Sequence, residues 1–232
     1  MASGTTVIIG GTRGLGRHLA QRCAQRGDAV VISGRDAAVA ESIAQDIGGC
    51  TSAIGLDLTA PGEVGNALGP IERVDRVVLA AIERDSNSVR EYRLEEAMRL
   101  VTLKLVGYTE VLHCLHPRMH EDTSVLLFGG LAKDRPYPGS TTVTSVNGAV
   151  TTMVTTFVTE LAPVRVNALH PGIVADSPAW VDNAEMLERV KDNTPTGRLV
   201  TMDDITDAAL FLLENRAING VNLAVDGGWR IM

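Results

Sequence analysis

The residues Gly10-Gly11-Thr12-Arg13-Gly14-Leu15-Gly16 follow directly on the short apolar run Thr5–Ile9. They precede a stretch in which Leu15, Leu19 and Cys23 share one helical face. A strand that turns through closely spaced glycines straight into a helix narrows the folds open to a chain. Glycine reaches positive φ at little steric cost and lets a ligand come close to the backbone. The helix that follows offers unpaired N–H groups and the positive end of its dipole, which suits a phosphate. Glycines alone would mark an ordinary turn; the strand before and the helix after give the motif its meaning.

The same alternation runs along the whole chain. Apolar runs at Thr5–Ile9, Ala29–Ser33, Ser52–Leu56, Val74–Ala80, Ser124–Phe128, Val164–Leu169 and Val221–Val225 read as strands. Most are continuous Val/Ile/Leu runs, as expected of strands covered on both faces. Between them lie helical stripes. Leu94, Met98, Val101, Leu105, Tyr108, Leu112 and Leu115 form one, and Val143, Val146, Val150, Val154, Phe157 and Leu161 a second. The second is rich in Thr and Val, weak helix formers, but its apolar spacing holds over five turns. A third covers Asp203–Leu213, with Thr201 placed to cap it. Strands alternating with helices specify parallel βαβ units joined right-handedly. The expectation is α/β: a single doubly wound, Rossmann-type domain over residues 1–232.

Composition removes several function classes. The chain has 232 residues, is 45% hydrophobic and carries a formal charge of −7, with no basic run. That gives no footing to nucleic acid or an anionic membrane. No apolar run approaches the roughly 20 residues of a membrane helix. The first residues lack the charged start and long apolar stretch of a secretion signal. Cys23, Cys50 and Cys114 are widely spaced, which suits a reducing, cytoplasmic setting better than a disulfide framework. His113, His116 and His120 have no carboxylate or thiolate cluster converging on them, so no metal is expected.

The spacing of Gly10, Gly14 and Gly16 is G-x3-G-x-G. With Gly55-Leu56-Asp57-Leu58, Val166-Asn167-Ala168-Leu169-His170-Pro171-Gly172 and Val225-Asp226-Gly227-Gly228-Trp229 in order, the chain resembles the short-chain dehydrogenase/reductase family over nearly its full length. The resemblance implies a seven-stranded parallel sheet and commonly a homodimer or homotetramer. It also implies that Asp57 and Leu58 flank an adenine and that the Val174 backbone reaches a nicotinamide carboxamide. The cofactor-binding set is then Gly10, Thr12, Arg13, Gly14, Leu15, Gly16, Ser33, Arg35, Asp57, Leu58 and Val174. NAD-dependent proteins of this fold usually end the second strand with a carboxylate that binds the ribose 2′-hydroxyl. Here that region reads Ile32-Ser33-Gly34-Arg35, with no acid before Asp36. Arg35, with Arg13 in the turn, suits a 2′-phosphate instead, so the cofactor expected is NADP(H).

The family's proton-handling residues are a Tyr-x3-Lys pair, a serine and an asparagine. The tyrosine exchanges a proton with the substrate oxygen and the lysine lowers its pKa. Aligned back from Glu160-Leu161-Ala162-Pro163, those positions hold Val143, Asn147, Gly130 and Thr102, and no Tyr-x3-Lys occurs anywhere. Tyr137 lies in the loop before the expected helix and is a weak substitute. Asp176 and Ser177 are read either as ligands of nicotinamide or substrate, or as a turn or helix cap. Glu83, Arg84 and Asp85 are replacement polar groups by position only, while Lys133, Asp134 and Arg135 read as solvated charges. The loop Asp176–Met186 offers Trp180 and little else by which to recognise a small-molecule substrate. Three readings follow: a divergent NADP(H) oxidoreductase acting on a carbonyl, enone or imine; an inactive NADP(H)-binding subunit, paired in a hetero-oligomer with an active relative; or a non-redox enzyme on the same fold.

Overall fold

A computed structural model describes residues 4–232. Seven parallel strands form one sheet in the order β3-β2-β1-β4-β5-β6-β7. They are β1 (Thr5–Ile9), β2 (Ala29–Gly34), β3 (Cys50–Gly55), β4 (Arg76–Leu79), β5 (Ser124–Phe128), β6 (Arg165–Pro171) and β7 (Asn222–Val225). Each strand read from the sequence is present, with no end moved by more than two residues. The helices are α1 (Gly14–Gln25), α2 (Ala37–Ile47), α3 (Val64–Leu68), α4 (Leu94–Val101), α5 (Tyr108–Leu115), α6 (Thr141–Glu160), α7 (Ala184–Asp192) and α8 (Met202–Glu214).

The helices cover both faces of the sheet, which explains why the strands read as unbroken apolar runs. One core joins Val7, Leu79, Val125 and Val166 to α5 and α6 through Leu112, Val150 and Val154. The other joins Ile8, Val30, Val78 and Leu126 to α1 and α8 through Leu19, Ala209 and Leu213. Strand order reverses between β1 and β4, and in such sheets the crevice beyond the carboxyl ends at that point is where ligands bind. The glycine turn closes β1 at this crevice.

Thr201 caps α8 as expected: its hydroxyl accepts from Asp204 N–H, and the Asp204 carboxylate accepts from Thr201 N–H at 2.9 Å, a reciprocal capping box. The first apolar stripe needs correction. Leu94 and Met98 are exposed (62% and 58%), whereas Ala97, Leu100, Leu103, Tyr108 and Leu112 are buried. The reason is a π-helical segment, Thr102–Gly107, between α4 and α5. Its wider turns rotate the face of α4 relative to α5, so one 3.6-residue stripe cannot serve both.

Candidate cofactor and substrate crevice

The glycine turn is built by close approach. Gly10 has φ of +88°, and a Cβ there would lie 2.6 Å from the Ala81 backbone after β4. A Cβ at Gly16 would lie 2.2 Å from the Gly10 carbonyl oxygen. The turn is therefore open only to glycine at these two points. Ser33 is 2% exposed, and its hydroxyl accepts from Gly10 N–H at 3.1 Å. It braces the turn from beneath. The Thr12 methyl packs against Gly34, and Leu15 packs on the α1–α8 core. No side chain caps the first turn of α1, and no acid lies in it. The helix end thus keeps its positive dipole for an anion. A bare backbone concavity at an uncapped helix N-terminus fits a dinucleotide pyrophosphate.

The expected adenosine end is a set of charges drawn from three strand ends. Arg35 is exposed beyond β2 and lies 3.3 Å from Glu83 beyond β4; Glu83 also accepts from Arg99 Nε at 2.7 Å. Asp36 is occupied as the N-cap of α2, accepting from Val39 N–H at 3.0 Å. Arg13 is exposed and makes no ion pair among the described residues. Asp57 closes a turn, accepting from Thr59 N–H at 2.9 Å and its hydroxyl at 2.8 Å. Partial burial raises the Asp57 pKa, but these bonds with Arg99 and Arg35 outweigh it and hold the carboxyl below its ordinary value. Leu58 does not present its side chain to this end. It is 3% exposed and packs in the core against Gly107.

Deeper in the crevice, Gly129 and Gly130 follow β5, and His170 ends the neighbouring β6. His170 is 1% exposed, and its Nδ1 accepts from Gly130 N–H at 3.2 Å. That bond requires an unprotonated Nδ1, so the ring proton sits on Nε2 and is donated to Asn222 Oδ1 at 3.0 Å. Burial lowers the His170 pKa further. A Cβ at Gly129 would lie 2.3 Å from the ring, so the histidine and the glycine require each other. Val143 and Asn147, one turn apart on α6, are both buried. A Cβ at Gly130 would lie 2.9 Å from Asn147 Nδ2. Thr102 opens the π-helical segment and is half-buried.

The remaining polar candidates divide by where they point. Asp176 accepts from Met202 N–H at 2.8 Å and thereby caps the start of α8. The Ser177 hydroxyl donates to the Val174 carbonyl at 2.8 Å within a turn. Both have the structural role. Tyr137 lies in the loop before α6, 49% exposed. Arg84 stacks on Trp180, its guanidinium carbon 4.8 Å from the ring centre, linking the loops after β4 and β6. Lys133 pairs with Asp134 at 2.8 Å, and Arg135 stacks on Trp229 at 4.4 Å.

Two residues escaped the sequence reading. Asn87 is fully buried: it donates to Asp85 at 2.6 Å, accepts from Arg93 N–H at 2.7 Å and reaches Thr142 at 3.4 Å, tying the loop after β4 to the start of α6. Lys104 is 1% exposed and donates to the Phe128 carbonyl at 2.6 Å and the Tyr108 hydroxyl at 2.8 Å. Its signal was present, since a lysine four residues before Tyr108 lies on the same helical face. Asn87 gives no such pattern.

A protein-family profile described as Enoyl-(Acyl carrier protein) reductase matches residues 10–230. The 3-oxoacyl-[acyl-carrier-protein] reductase of Bos taurus is 30% identical over 233 residues, covering 97% of each chain. The chain belongs to the short-chain dehydrogenase/reductase family. This short-chain dehydrogenase/reductase is also 28% identical to the NADP-dependent (R)-specific alcohol dehydrogenase of Lentilactobacillus kefiri, over 96% of its length and 95% of the relative's. Among solved structures, the 3-ketoacyl-(acyl-carrier-protein) reductase of Brucella melitensis complexed with NADH superposes with a TM-score of 0.86 at 30% identity, covering 98% of both chains. The family is one of oxidoreductases that bind a nicotinamide cofactor. No helix among the described residues is long and apolar enough to cross a membrane.

Proposed function

We infer that the protein is an NADP(H)-dependent oxidoreductase acting on a conjugated or otherwise polarised acceptor, an enone, an enoyl thioester, or an imine. The observation that carries the cofactor reading is the presence of exposed guanidinium groups after β1 and β2, Arg13 and Arg35. Among the described residues Arg13 has no ion-pair partner and Arg35 has only a long contact to Glu83, and the acid after β2, Asp36, is occupied as a helix cap. A 2′-phosphate supplies the dianion that such a pair binds by charge-assisted hydrogen bonds. The glycine turn and the α1 N-terminus hold the pyrophosphate, and the nicotinamide, when bound, gives or takes the hydride.

The acceptor class follows from what stands at the family's proton-handling positions. Val143 and Gly130 carry no titratable group, Asn147 carries an amide, and Thr102 a hydroxyl. An unactivated ketone reduced without a positioned acid loses about 10²–10⁴-fold in rate. A conjugated acceptor does not place that demand on its oxygen. The description of the matching family, enoyl reduction, agrees with this class, whereas the bovine relative's 3-oxoacyl reduction is a ketone reduction. The exposed Leu94 and Met98 on α4 support a homodimer or homotetramer, and the cysteine usage supports a cytoplasmic setting.

The test is NADPH oxidation by the pure protein with enones, enoyl thioesters, cyclic imines and simple ketones. Turnover of the first three classes with little ketone reduction is expected. NADPH binding without turnover of any acceptor would instead favour an inactive subunit.

A further inference from the structure

Helix α6 carries a buried carboxamide with nothing to bind. Asn147 is 4% exposed, yet neither of its amide atoms makes a hydrogen bond among the described residues. The sealed polar atoms without partners are Asp85 Oδ1, Ser124 Oγ, Thr151 Oγ1 and Thr206 Oγ1; the Asn147 amide is not one of them, so it borders space that a ligand atom can reach. Water can meet this amide in the free protein, and a ligand oxygen would take the water's place with one direct hydrogen bond.

Its surroundings say what kind of ligand. The amide nitrogen lies beside the bare Cα of Gly130, where a methyl group would come within 2.9 Å. Gly130 follows β5 at the same sheet edge as the glycine turn, and its own N–H is turned away to His170. Val143 makes the wall apolar one turn before Asn147 on α6. Around Asn147 the crevice therefore offers a neutral hydrogen-bonding group set in apolar and backbone surroundings.

We propose that the Asn147 carboxamide donates the hydrogen bond that holds the substrate's carbonyl oxygen. This rests on the reading of the crevice as the site of a carbonyl-containing acceptor. An amide N–H polarises that oxygen but gives up no proton near neutral pH. The residue thus favours acceptors whose carbonyl draws electrons through a conjugated double bond, and leaves any protonation to solvent. Asn147 is a catalytic residue in this sense, touching the substrate.

The experiment uses cyclohex-2-enone as probe and the infrared C=O band as readout, with the full-length protein recorded with and without NADP+. The bound probe should show a C=O band at lower frequency than in an apolar solvent. Asn147→Leu should abolish that shift and weaken probe binding about three- to tenfold, the loss of one hydrogen bond. NADPH affinity, followed by its fluorescence, should be unchanged, which also shows that the variant folds; Asn147→Ala serves if the leucine does not pack. A normal shift in either folded variant, or no shifted band with the wild-type protein, overturns the proposal. Failure to bind NADPH would count against the cofactor reading alone, because the band is also read without cofactor.

Discussion

Lys104 Nζ lies 2.8 Å from the Tyr108 hydroxyl, which in turn donates to the Ala81 carbonyl at 2.7 Å. The pair ties the π-helical segment to the ends of β4 and β5, and no carboxylate accompanies it. Burial draws the lysine's pKa from 10.5 down to about 7. Between pH 7 and 10.5 the unfolded chain therefore binds a proton that the folded chain does not, so stability rises with pH over that window. The useful window closes near pH 9, because buried Cys23, pushed up to about 11, begins to act in the opposite sense there. Urea unfolding at pH 7 and pH 9 should show the wild type gaining about 2 kcal/mol more than Lys104→Met over this interval. Equal gains would mean that the lysine is not titrating between these limits.

The glycine turn gives a second prediction. A methyl at Gly16 has no room beside the Gly10 carbonyl oxygen at 2.2 Å. Gly16→Ala should displace the turn, costing about 1–3 kcal/mol in stability and most of the NADPH affinity. Thermal unfolding and fluorescence titration measure the two losses; retention of full affinity would show that the turn does not hold the pyrophosphate.

Cofactor preference is tested at Arg35 and its neighbour. Arg35→Gln should weaken NADPH binding about tenfold or more while leaving NADH binding nearly unchanged, because only the former carries the 2′-phosphate. Glu83→Gln removes the carboxylate 3.3 Å from Arg35 and should tighten NADPH. Parallel titrations with both cofactors decide the matter: equal effects on the two would remove Arg35 from the phosphate site.

Asp176 is expected to be a matter of stability alone. Its carboxylate accepts from Met202 N–H at the start of α8. Asp176→Ala should cost about 1 kcal/mol of stability, typical of a lost helix cap, and leave kcat unchanged. A large fall in kcat at unchanged stability would return the residue to the reaction.

Much of this architecture was legible because strands buried on both faces must be apolar throughout, and helical stripes separate several of the runs; α2 and α3 were not read as stripes. The glycine turn was legible for the same local reason: Gly10 and Gly16 sit where no side chain fits. The α4 stripe misled because the π-helical segment shifts the helical phase, and residue spacing carries no mark of it. Residue spacing does not show that Asp176 bonds the start of α8, that Ser177 bonds the Val174 carbonyl or that Leu58 packs in the core, because each partner lies off the local pattern.

The sequence by itself determined the order of strands along the chain, the place of the glycine turn and the absence of a Tyr-x3-Lys pair, since each is carried by residues adjacent along the chain. Only the tertiary structure decided how the crevice is furnished. The turn is braced by Ser33 from the neighbouring strand, and its ends depend on backbone approach between β1 and β4. Arg35 meets Glu83 across 48 positions of chain, Gly130 meets Asn147 through space, and His170 is fixed by partners on β5 and β7. Those relations arise from the parallel register of the sheet, which brings distant segments to one edge and settles which polar groups are spent on the fold and which remain for a ligand.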